Sequence, residues 1–398
     1  WLLGCGAAAR LVLVAAPTFT TVDVGRYLWD GKLALLGLDP YRIAPIAPEL
    51  AHLRAEWLPA GVHFDLPTLY PPVAVALFAL AALAGDPASA WLVWKALATV
   101  ASLVTLVLAS RLLDASGTRR HMALVALSPL LVLEAGVGAH LDAFSALAVT
   151  AGLLAVVRAR PAGAGALLGL GAAVKILPGL AMLPLAARRG AGMRTAIVGC
   201  VVVMAVYAAC LARGLRPLGS LAVPFRAWSF GSPLWTALEA VLGRGAASLL
   251  GLVGTGLLLG ASVLLARRGR WIAGVQLALA APLAFSPVAY PWYLTPLVPA
   301  VALEPRGALV AWLSLAPLTY EVLVRAETQG VWEPASWPLV AIAVGTAIAM
   351  ITSWPRPVAT VPSGNFAESE PYLPAWLPAA ARAPEVPSER ATRVGGRR

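Results

Sequence analysis

Apolar runs of about 20 residues, the length that an α-helix needs to cross a bilayer, recur from one end of the sequence to the other. Of the 398 residues, 60% are hydrophobic and only 12% are charged, whereas about 25% of a soluble domain is charged. Inside lipid, only helices and closed barrels satisfy their backbone hydrogen bonds. The sequence therefore predicts an all-α polytopic membrane protein. The predicted spans are 7–22, 89–112, 121–139, 141–157, 194–213, 246–266, 271–287, 289–303, 307–323 and 336–353.

The basic residues decide the predicted topology. The net charge is +11, but the arginines cluster in short loops between apolar runs, which is the pattern that orients membrane proteins and gives no indication of nucleic-acid binding. If neither run 71–84 nor run 162–187 crosses the membrane, all of these arginine-rich loops lie on the same side. Basic loops mark the cytoplasmic side of a membrane protein. The run 71–84 is then a short interfacial helix, and the run 162–187 is a kinked, re-entrant hairpin around Lys175. The segments predicted to share the outer face are 23–69, 139–141, 214–245, 288–290 and 324–335.

A long polar and aromatic segment, residues 23–72, follows the first apolar run. Arg26 and Asp30 lie three and seven positions after Asp23, so the three share one face of a helix that starts at Asp23. Such an amphipathic helix is expected to lie in the membrane interface. The segment therefore predicts an outer catalytic or binding loop for an anionic, sugar-bearing substrate. Further candidate binding residues on this helix are Tyr27, Trp29 and Lys32.

Four ionisable side chains stand within or beside later apolar runs. His140 and Asp142 occupy an outer turn, where they either belong to a site or are simply solvated. Glu134 lies about two helical turns earlier, and because a carboxylate inside a span is costly, it is either functional or paired with an Arg or a Lys. Lys175 lies too far from the cytoplasmic flanks to reach them. It must therefore meet an anion, either a protein carboxylate or a ligand phosphate.

Two outer segments are rich in aromatic residues. The turn 286–293 contains Tyr290, Trp292 and Tyr293, and the loop 225–230 contains Arg226 between aromatic residues. Either segment is typical of the aromatic belt at a membrane surface, which requires no substrate. Either one is also suited to contact a sugar or a lipid headgroup.

The remaining features add little chemistry. The three cysteines lie in apolar runs, which predicts small core residues and no disulfide or zinc site. Residues 354–398, rich in Pro, Ala, Arg and Glu, predict a disordered cytoplasmic tail after a transmembrane domain over 1–353. No internal repeat is evident, although secondary transporters commonly have one. The cysteines are Cys5, Cys200 and Cys210.

Taken in order, the polar motifs resemble those of a known superfamily. They are the Asp after the first span, RYLWDGK, DPYR, LYPP, a Glu followed after five residues by HLDA, VKILP, WSF and SPVAYPWYL. Over residues 7–353 the chain resembles the GT-C integral-membrane glycosyltransferases. Within them it is most similar to the polyprenyl-phosphate-mannose-dependent mannosyltransferases of glycosyltransferase family 87 and its relatives. One departure is Tyr290, where such relatives often have a His.

The resemblance implies a GT-C fold with two juxtamembrane helices in the first outer loop, and Asp23 as the catalytic base. His140 and Asp142 match the second acidic motif of such enzymes. The implied reaction is an inverting transfer of a hexose, mannose, from a polyprenyl-phosphate donor to a lipid-linked or cell-envelope glycan acceptor on the outer face of the cell membrane.

Candidate residues for each role follow from this reaction. Because the leaving group is a phosphate, its departure needs cations, and no metal or other cofactor is expected. The candidate phosphate-binding residues are Lys175, Arg26 and Arg226. The candidate sugar- and acceptor-binding residues are Tyr27, Trp29, Asp30, Lys32, His140, Asp142, Tyr290, Trp292 and Tyr293.

Two other functional classes also fit a chain with many spans. A transporter or flippase for a glycolipid would show repeated halves and broken helices meeting at the membrane midplane, whereas here the polar residues concentrate in one outer loop. A catalytically inactive lipid-binding scaffold would carry the same apolar runs. The combined motifs favour the enzyme over both.

Overall fold

The computed structural model describes residues 1–59 and 63–353. Over these residues the regular structure is helical, and the β-structure is limited to one isolated bridge between Phe230 and Val288. The predicted all-α class is therefore confirmed for this part of the chain, whereas the predicted tail, 354–398, lies outside it. The α-helices are α1 Leu2–Val12, α2 Asp23–Leu35, α3 Ala51–Trp57, α4 Pro72–Ala82, α5 Pro87–Ala115, α6 Ala123–Ala126, α7 Pro129–Gly136, α8 Asp142–Val157, α9 Pro161–Val174, α10 Leu177–Leu180, α11 Met182–Ala186, α12 Gly192–Ala212, α13 Val223–Ala227, α14 Pro233–Arg267, α15 Trp271–Phe285, α16 Val298–Leu303, α17 Gly307–Leu315, α18 Val322–Gln329 and α19 Ser336–Thr352; the 3-10 helices are Pro48–Leu50, Arg119–His121, Pro291–Leu297 and Ala316–Glu321.

Four helical runs are long and apolar enough to cross a bilayer, namely α5, α12, α14 and the run Gly307–Gln329. In the most apolar windows of α12 and α14, only 11% and 17% of the residues are buried within the protein. Apolar surface of this extent marks contact with a membrane, so the chain is a membrane protein. The other apolar helices have 10–17 residues, and the predicted count of ten spans stays a prediction.

Two predicted spans are wrong in extent. In place of a helix over 7–22, α1 ends before an irregular segment that contains Pro17. The helix predicted over 121–139 is interrupted after α6 at Leu127, and Pro129 then begins α7. A proline lacks the amide hydrogen that an ongoing helix requires and disfavours a helical conformation in the residue before it. Both helices therefore end before their proline.

The first outer loop contains the two helices that were predicted in it. The first of them, α2, starts at Asp23 and ends before Gly37, whose positive φ of 73° suits a helix terminus. The second, α4, lies within the predicted helix 71–84. A Cβ atom on Gly31 would come within 2.3 Å of the carbonyl carbon of Phe78, so glycine lets the backbones of α2 and α4 approach closely. Their position at the membrane surface stays a prediction.

The chain reverses direction at Lys175. A Cβ atom on Gly165 would lie 2.2 Å from the carbonyl oxygen of Thr195, and one on Gly169 would lie 2.6 Å from that of Gly199. Because both numbers increase together, α9 and α12 run parallel, and the segment α10–α11 between them returns. The backbone of Lys175 is extended, with φ −154° and ψ 137°, which ends α9 there. This reversal agrees with the predicted hairpin, and its re-entrant position in a membrane stays a prediction.

Several segments that were predicted to share the outer face contact one another. The amide of Ser220 donates to the carbonyl of Thr68 at 3.1 Å. Phe230 forms the bridge to Val288, and its ring stacks on that of Trp332 with 6.4 Å between centroids. The first outer loop and three later segments thus gather at one end of the helices, where the candidate site lies.

Candidate functional site

Asp23 is the first residue of α2, and 32% of its side chain is exposed. The hydroxyl of Tyr27, one turn later, donates to its Oδ2 at 3.4 Å, and the amide of Asp23 donates to Thr21 Oγ1 at 3.1 Å. The partial positive charge at the start of a helix favours a carboxylate in this position. Asp23 therefore presents a partly accessible carboxylate, which is the feature that a base for an external substrate requires.

His140 lies directly behind Asp23 in the turn between α7 and α8. The indole of Trp94 donates to the carbonyl of Ala139 at 2.8 Å, which holds Ala139 at φ 47° and fixes the turn. The imidazole is fully buried, with Nδ1 2.8 Å from Glu134 Oε2 and Nε2 4.0 Å from Asp23 Oδ2. Nε2 has no hydrogen-bond partner among the described residues. The turn thus joins His140 to two carboxylates.

Glu134 is buried and paired, but with a partner that was not predicted. The sequence left open a functional role or a pair with an Arg or a Lys. In the structure, Glu134 contacts the imidazole of His140 and the hydroxyl of Tyr320, which donates to Oε1 at 2.5 Å. Of the two alternatives for Glu134, the pair with an Arg or a Lys is therefore not formed, and a functional role stays a prediction. Tyr320 was missed because it lies in an apolar span, where the only signal was a tyrosine next to Glu321.

Lys175 meets a protein carboxylate. Its Nζ donates to both oxygens of Asp142 at 2.7 Å and lies 3.7 Å from the ring centroid of Tyr293. The side chain of Asp142 is 2% exposed and that of Lys175 is 22% exposed. The anion that a buried lysine needs is therefore supplied by Asp142 in the first instance. The phosphate-binding role of Lys175 stays a prediction.

The turn 286–293, here the aromatic turn, packs against the polar cluster formed by Asp23, Glu134, His140, Asp142 and Lys175. It is therefore more than an aromatic belt at the membrane surface. The rings of Phe230, Tyr290, Trp292 and His140 form a column, with successive centroids 4.3, 4.4 and 3.9 Å apart. Burial raises the pKa of Tyr290 to about 12, with a smaller contribution from the negative charge of Asp23. Tyr290 therefore holds its proton at neutral pH and can donate a hydrogen bond.

The remaining polar residues of α2 bind the protein itself. Arg26 pairs with Asp30 at 3.0 Å and donates to the carbonyl of Leu66 at 2.7 Å, which ties α2 to the end of the first outer loop. Burial raises the pKa of Asp30, and the positive charge of Arg26 opposes this shift. Arg26 nevertheless lines the cleft that contains Asp23.

For three predicted site residues, no described side-chain contact connects them to Asp23. Trp29 is fully buried in the packing of α2. Lys32 lies over the ring of Trp57, with Nζ 4.6 Å from the centroid. Arg226, in α13, is exposed. Their roles toward a substrate stay predictions, and among the described contacts none links Trp29 or Lys32 to the cluster.

An open cleft leads to Asp23. It is lined by Arg26, Tyr70 and residues of two loops that meet there, including His63 and Trp228. The rings of His63 and Trp228 stack with centroids 4.4 Å apart. Tyr70 and Trp228 belong to the LYPP and WSF motifs of the sequence. No sequence pattern indicated a role for His63. The cleft gives a substrate access to the partly exposed carboxylate of Asp23.

The acidic, histidine and cysteine side chains of the described residues do not form a metal-binding group. Within residues 1–59 and 63–353, no group of three or more His, Cys, Asp or Glu side chains has the arrangement that would hold a metal ion. Asp142 is already paired with Lys175, and Glu134 with His140 and Tyr320. The expectation of a metal-independent reaction stays a prediction.

The chain is similar to one protein family. The family model described as alpha-(1->6)-mannopyranosyltransferase, N-terminal domain, matches residues 11–189. The matched region contains Asp23, His140, Asp142 and Lys175, and the aromatic turn lies beyond it. The match confirms the resemblance to a GT-C-type mannosyltransferase family. No curated protein and no solved structure matches the chain.

Proposed function

We propose that this chain, whose residues 11–189 match the model of an alpha-(1->6)-mannopyranosyltransferase family, transfers mannose from a polyprenyl-phosphate donor to a lipid-linked or cell-envelope glycan acceptor. The match to this family supports mannosyl transfer by a membrane glycosyltransferase. The donor, the acceptor and the mechanism are our inference. The observation that carries it is Asp23, a partly exposed carboxylate at the junction of an open cleft and a buried polar cluster.

The proposed step is a single displacement. Asp23 takes the proton of the acceptor hydroxyl, whose oxygen forms a bond with the anomeric carbon. The bond from that carbon to the phosphate oxygen breaks, and the phosphate leaves with the electron pair. A single displacement inverts the anomeric centre, so a β-linked donor yields an α-linked product. The description of the matched family names an α-product, which agrees with inversion.

The leaving phosphate needs positive charge near the anomeric carbon. Lys175 has three donor hydrogens, and its two contacts to Asp142 leave one for a phosphate oxygen. Its side chain is 22% exposed, so a phosphate can reach it. Arg26 lines the cleft, and Arg226 lies two residues from Trp228, another cleft residue. These three are the proposed phosphate-binding residues, and the reaction is proposed to need no metal.

Aromatic side chains supply surfaces for the sugar. Trp292 and Tyr290 stack beside His140, and Tyr293 contacts Lys175. Tyr27 presents its hydroxyl to Asp23. Sugar rings present an apolar face to such side chains, while their hydroxyls need donors and acceptors. We place the mannose between Asp23 and this aromatic group.

The direct test is a transfer assay with the purified full chain in liposomes. Polyprenyl-phosphate-[³H]mannose and an alkyl α-mannoside are expected to yield a labelled disaccharide with a new α-linkage. GDP-mannose, the control donor, is expected to yield none. If the intact donor instead crossed between leaflets and no glycosidic bond formed, the chain would be a flippase.

The proposed site lies on the outer face of a multi-pass protein in the cell membrane, which a labelling experiment can test. In a variant without its three native cysteines, His52→Cys is expected to react with an impermeant maleimide in intact cells. Arg120→Cys and Arg189→Cys are expected to react only after permeabilisation. Labelling of position 189 from outside would contradict the hairpin and the shared outer face. The native cysteines, none of them in a disulfide, are Cys5, Cys200 and Cys210.

A further inference from the structure

We propose that His140 and Glu134 form a proton relay behind Asp23. In this relay, His140 takes from Asp23 the proton that the acceptor hydroxyl has given up, and Glu134 holds His140 in the tautomer that can accept it. The inference rests on the proposed function, because it assumes that Asp23 is the base. It gives a role in proton transfer to a buried histidine, which was a candidate sugar- and acceptor-binding residue, and to a buried glutamate that the proposed displacement does not otherwise use.

The geometry orients the imidazole for this transfer. When Nδ1–H donates to Glu134 Oε2 at 2.8 Å, Nε2 is the nitrogen with the free lone pair, and it lies 4.0 Å from Asp23 Oδ2. Nε2 is the unpartnered atom of a fully buried side chain among the described residues. Hydrogen bonds of catalytic groups are often long without substrate and shorten in the complex. A movement of about 1 Å brings this pair into hydrogen-bond range.

The local backbone is built around the His140–Glu134 contact. A Cβ atom on Gly138 would lie 2.4 Å from His140 Nδ1 and 2.8 Å from Glu134 Oε2, so only glycine leaves room for this pair. The amide of His140 also donates to the carbonyl of Glu134 at 2.8 Å. Tyr320 supports the far oxygen of the glutamate. The pair is therefore held from both sides.

Carboxylates lie on two sides of the His140 imidazole. Asp23, Glu134 and Asp142 bring three carboxylates together, and the fixed cation among these described residues is Lys175, which both oxygens of Asp142 bind. An imidazolium at His140 would lie between the other two carboxylates. The face of Trp292, 3.9 Å from the imidazole and nearly parallel to it, further stabilises a cation.

The proposed proton path balances. The acceptor oxygen gives its proton to Asp23 as it bonds to the anomeric carbon, and the phosphate leaves with the electron pair of the broken bond. Asp23 passes the proton to His140 Nε2 and becomes a carboxylate again. After the products leave, the proton returns through Asp23, which is exposed, to water. The titratable and charged groups that face His140 from the elements around it are Asp23 and Tyr27 from α2, Glu134 from α7, Asp142 from α8, Lys175 from the end of α9, Tyr290 and Tyr293 from the aromatic turn, and Tyr320.

The test compares His140→Asn, Glu134→Gln and the double variant in the transfer assay. Each single variant is expected to lower kcat about 100-fold, at the lower end of the range for a group that moves a proton, with the donor KM within about threefold of wild type. Because the two residues act as a unit, the double variant is expected to fall no further than His140→Asn. Added imidazole is expected to restore part of the kcat of His140→Ala, increasingly as pH rises and more of the imidazole is neutral. A merely structural histidine would not respond in this way.

Controls separate the relay from the function on which it rests. His121 lies outside the site, where its Nδ1 is 2.9 Å from the carbonyl oxygen of Ala302. The control variant His121→Asn is therefore expected to keep wild-type kcat. Glu134→Gln keeps the shape of its side chain, so it reports on the relay even if His140→Asn folds poorly. If Asp23→Asn were inactive while His140→Asn and Glu134→Gln both turned over at the wild-type rate, the relay would be overturned and the proposed base would stand. Wild-type turnover in Asp23→Asn would overturn the proposed base and the relay together, and additive losses without imidazole rescue would show a structural role.

Discussion

Asp23→Asn is expected to lower kcat for mannose transfer by about 10²–10⁴-fold, the usual contribution of a general base. Asparagine keeps the size of the side chain and can still accept the Tyr27 hydrogen bond, but it has no basic oxygen. Donor binding is therefore expected to survive, with the donor KM close to that of wild type. Steady-state kinetics in proteoliposomes, together with thermal unfolding of the purified variant, check both expectations.

Three further variants delimit the assignment of Asp23. Asp23→Glu is expected to recover little, because the extra methylene moves the carboxylate away from the acceptor. Asp30→Asn is the matched acidic control on the same helix, since Asp30 is buried against Arg26 and away from the open cleft. If Asp23→Asn transferred mannose at the wild-type rate while Asp142→Asn was inactive, the base would be Asp142 instead.

Lys175→Met is expected to affect both stability and donor binding. Removing one partner of a buried ion pair costs about 3–5 kcal/mol of the free energy of unfolding, because the other charge is left without compensation. Asp142, whose side chain is 2% exposed, would be that charge. A lower thermal midpoint and a lower yield of folded protein than wild type are the expected measurements.

The double variant Lys175→Met/Asp142→Asn separates the two roles of Lys175. It removes the uncompensated carboxylate, so most of the lost stability is expected to return. A lost contact to the donor phosphate would not return, and the donor KM is expected to stay about 10-fold or more above wild type, since a hydrogen bond to a charged group contributes about 1.5–3 kcal/mol. A double variant with wild-type kcat and donor KM would show that Lys175 serves only the fold.

Local sequence signals predicted the elements of the site. The 3.6-residue period placed Asp23, Arg26 and Asp30 on one helix, and α2 begins at Asp23, as predicted. The reversal at Lys175 followed from the distribution of arginines, which depends on the membrane and not on packing. The interrupted spans did not follow from hydropathy, because an average over about 19 residues does not register one proline.

By itself, the sequence determined the all-α class, the membrane environment and the polar segments that supply the site. Only the tertiary structure decided which polar side chains meet: Lys175 with Asp142, and Glu134 with His140 and Tyr320. It also showed that Trp29 is buried in the packing of α2, that Lys32 lies over Trp57, and that Trp292 stacks on His140. Hydropathy and periodicity act over neighbouring residues, whereas the Lys175–Asp142 ion pair and the Tyr320–Glu134 hydrogen bond depend on distances between side chains 33 and 186 positions apart. Those distances are set by how the helices pack.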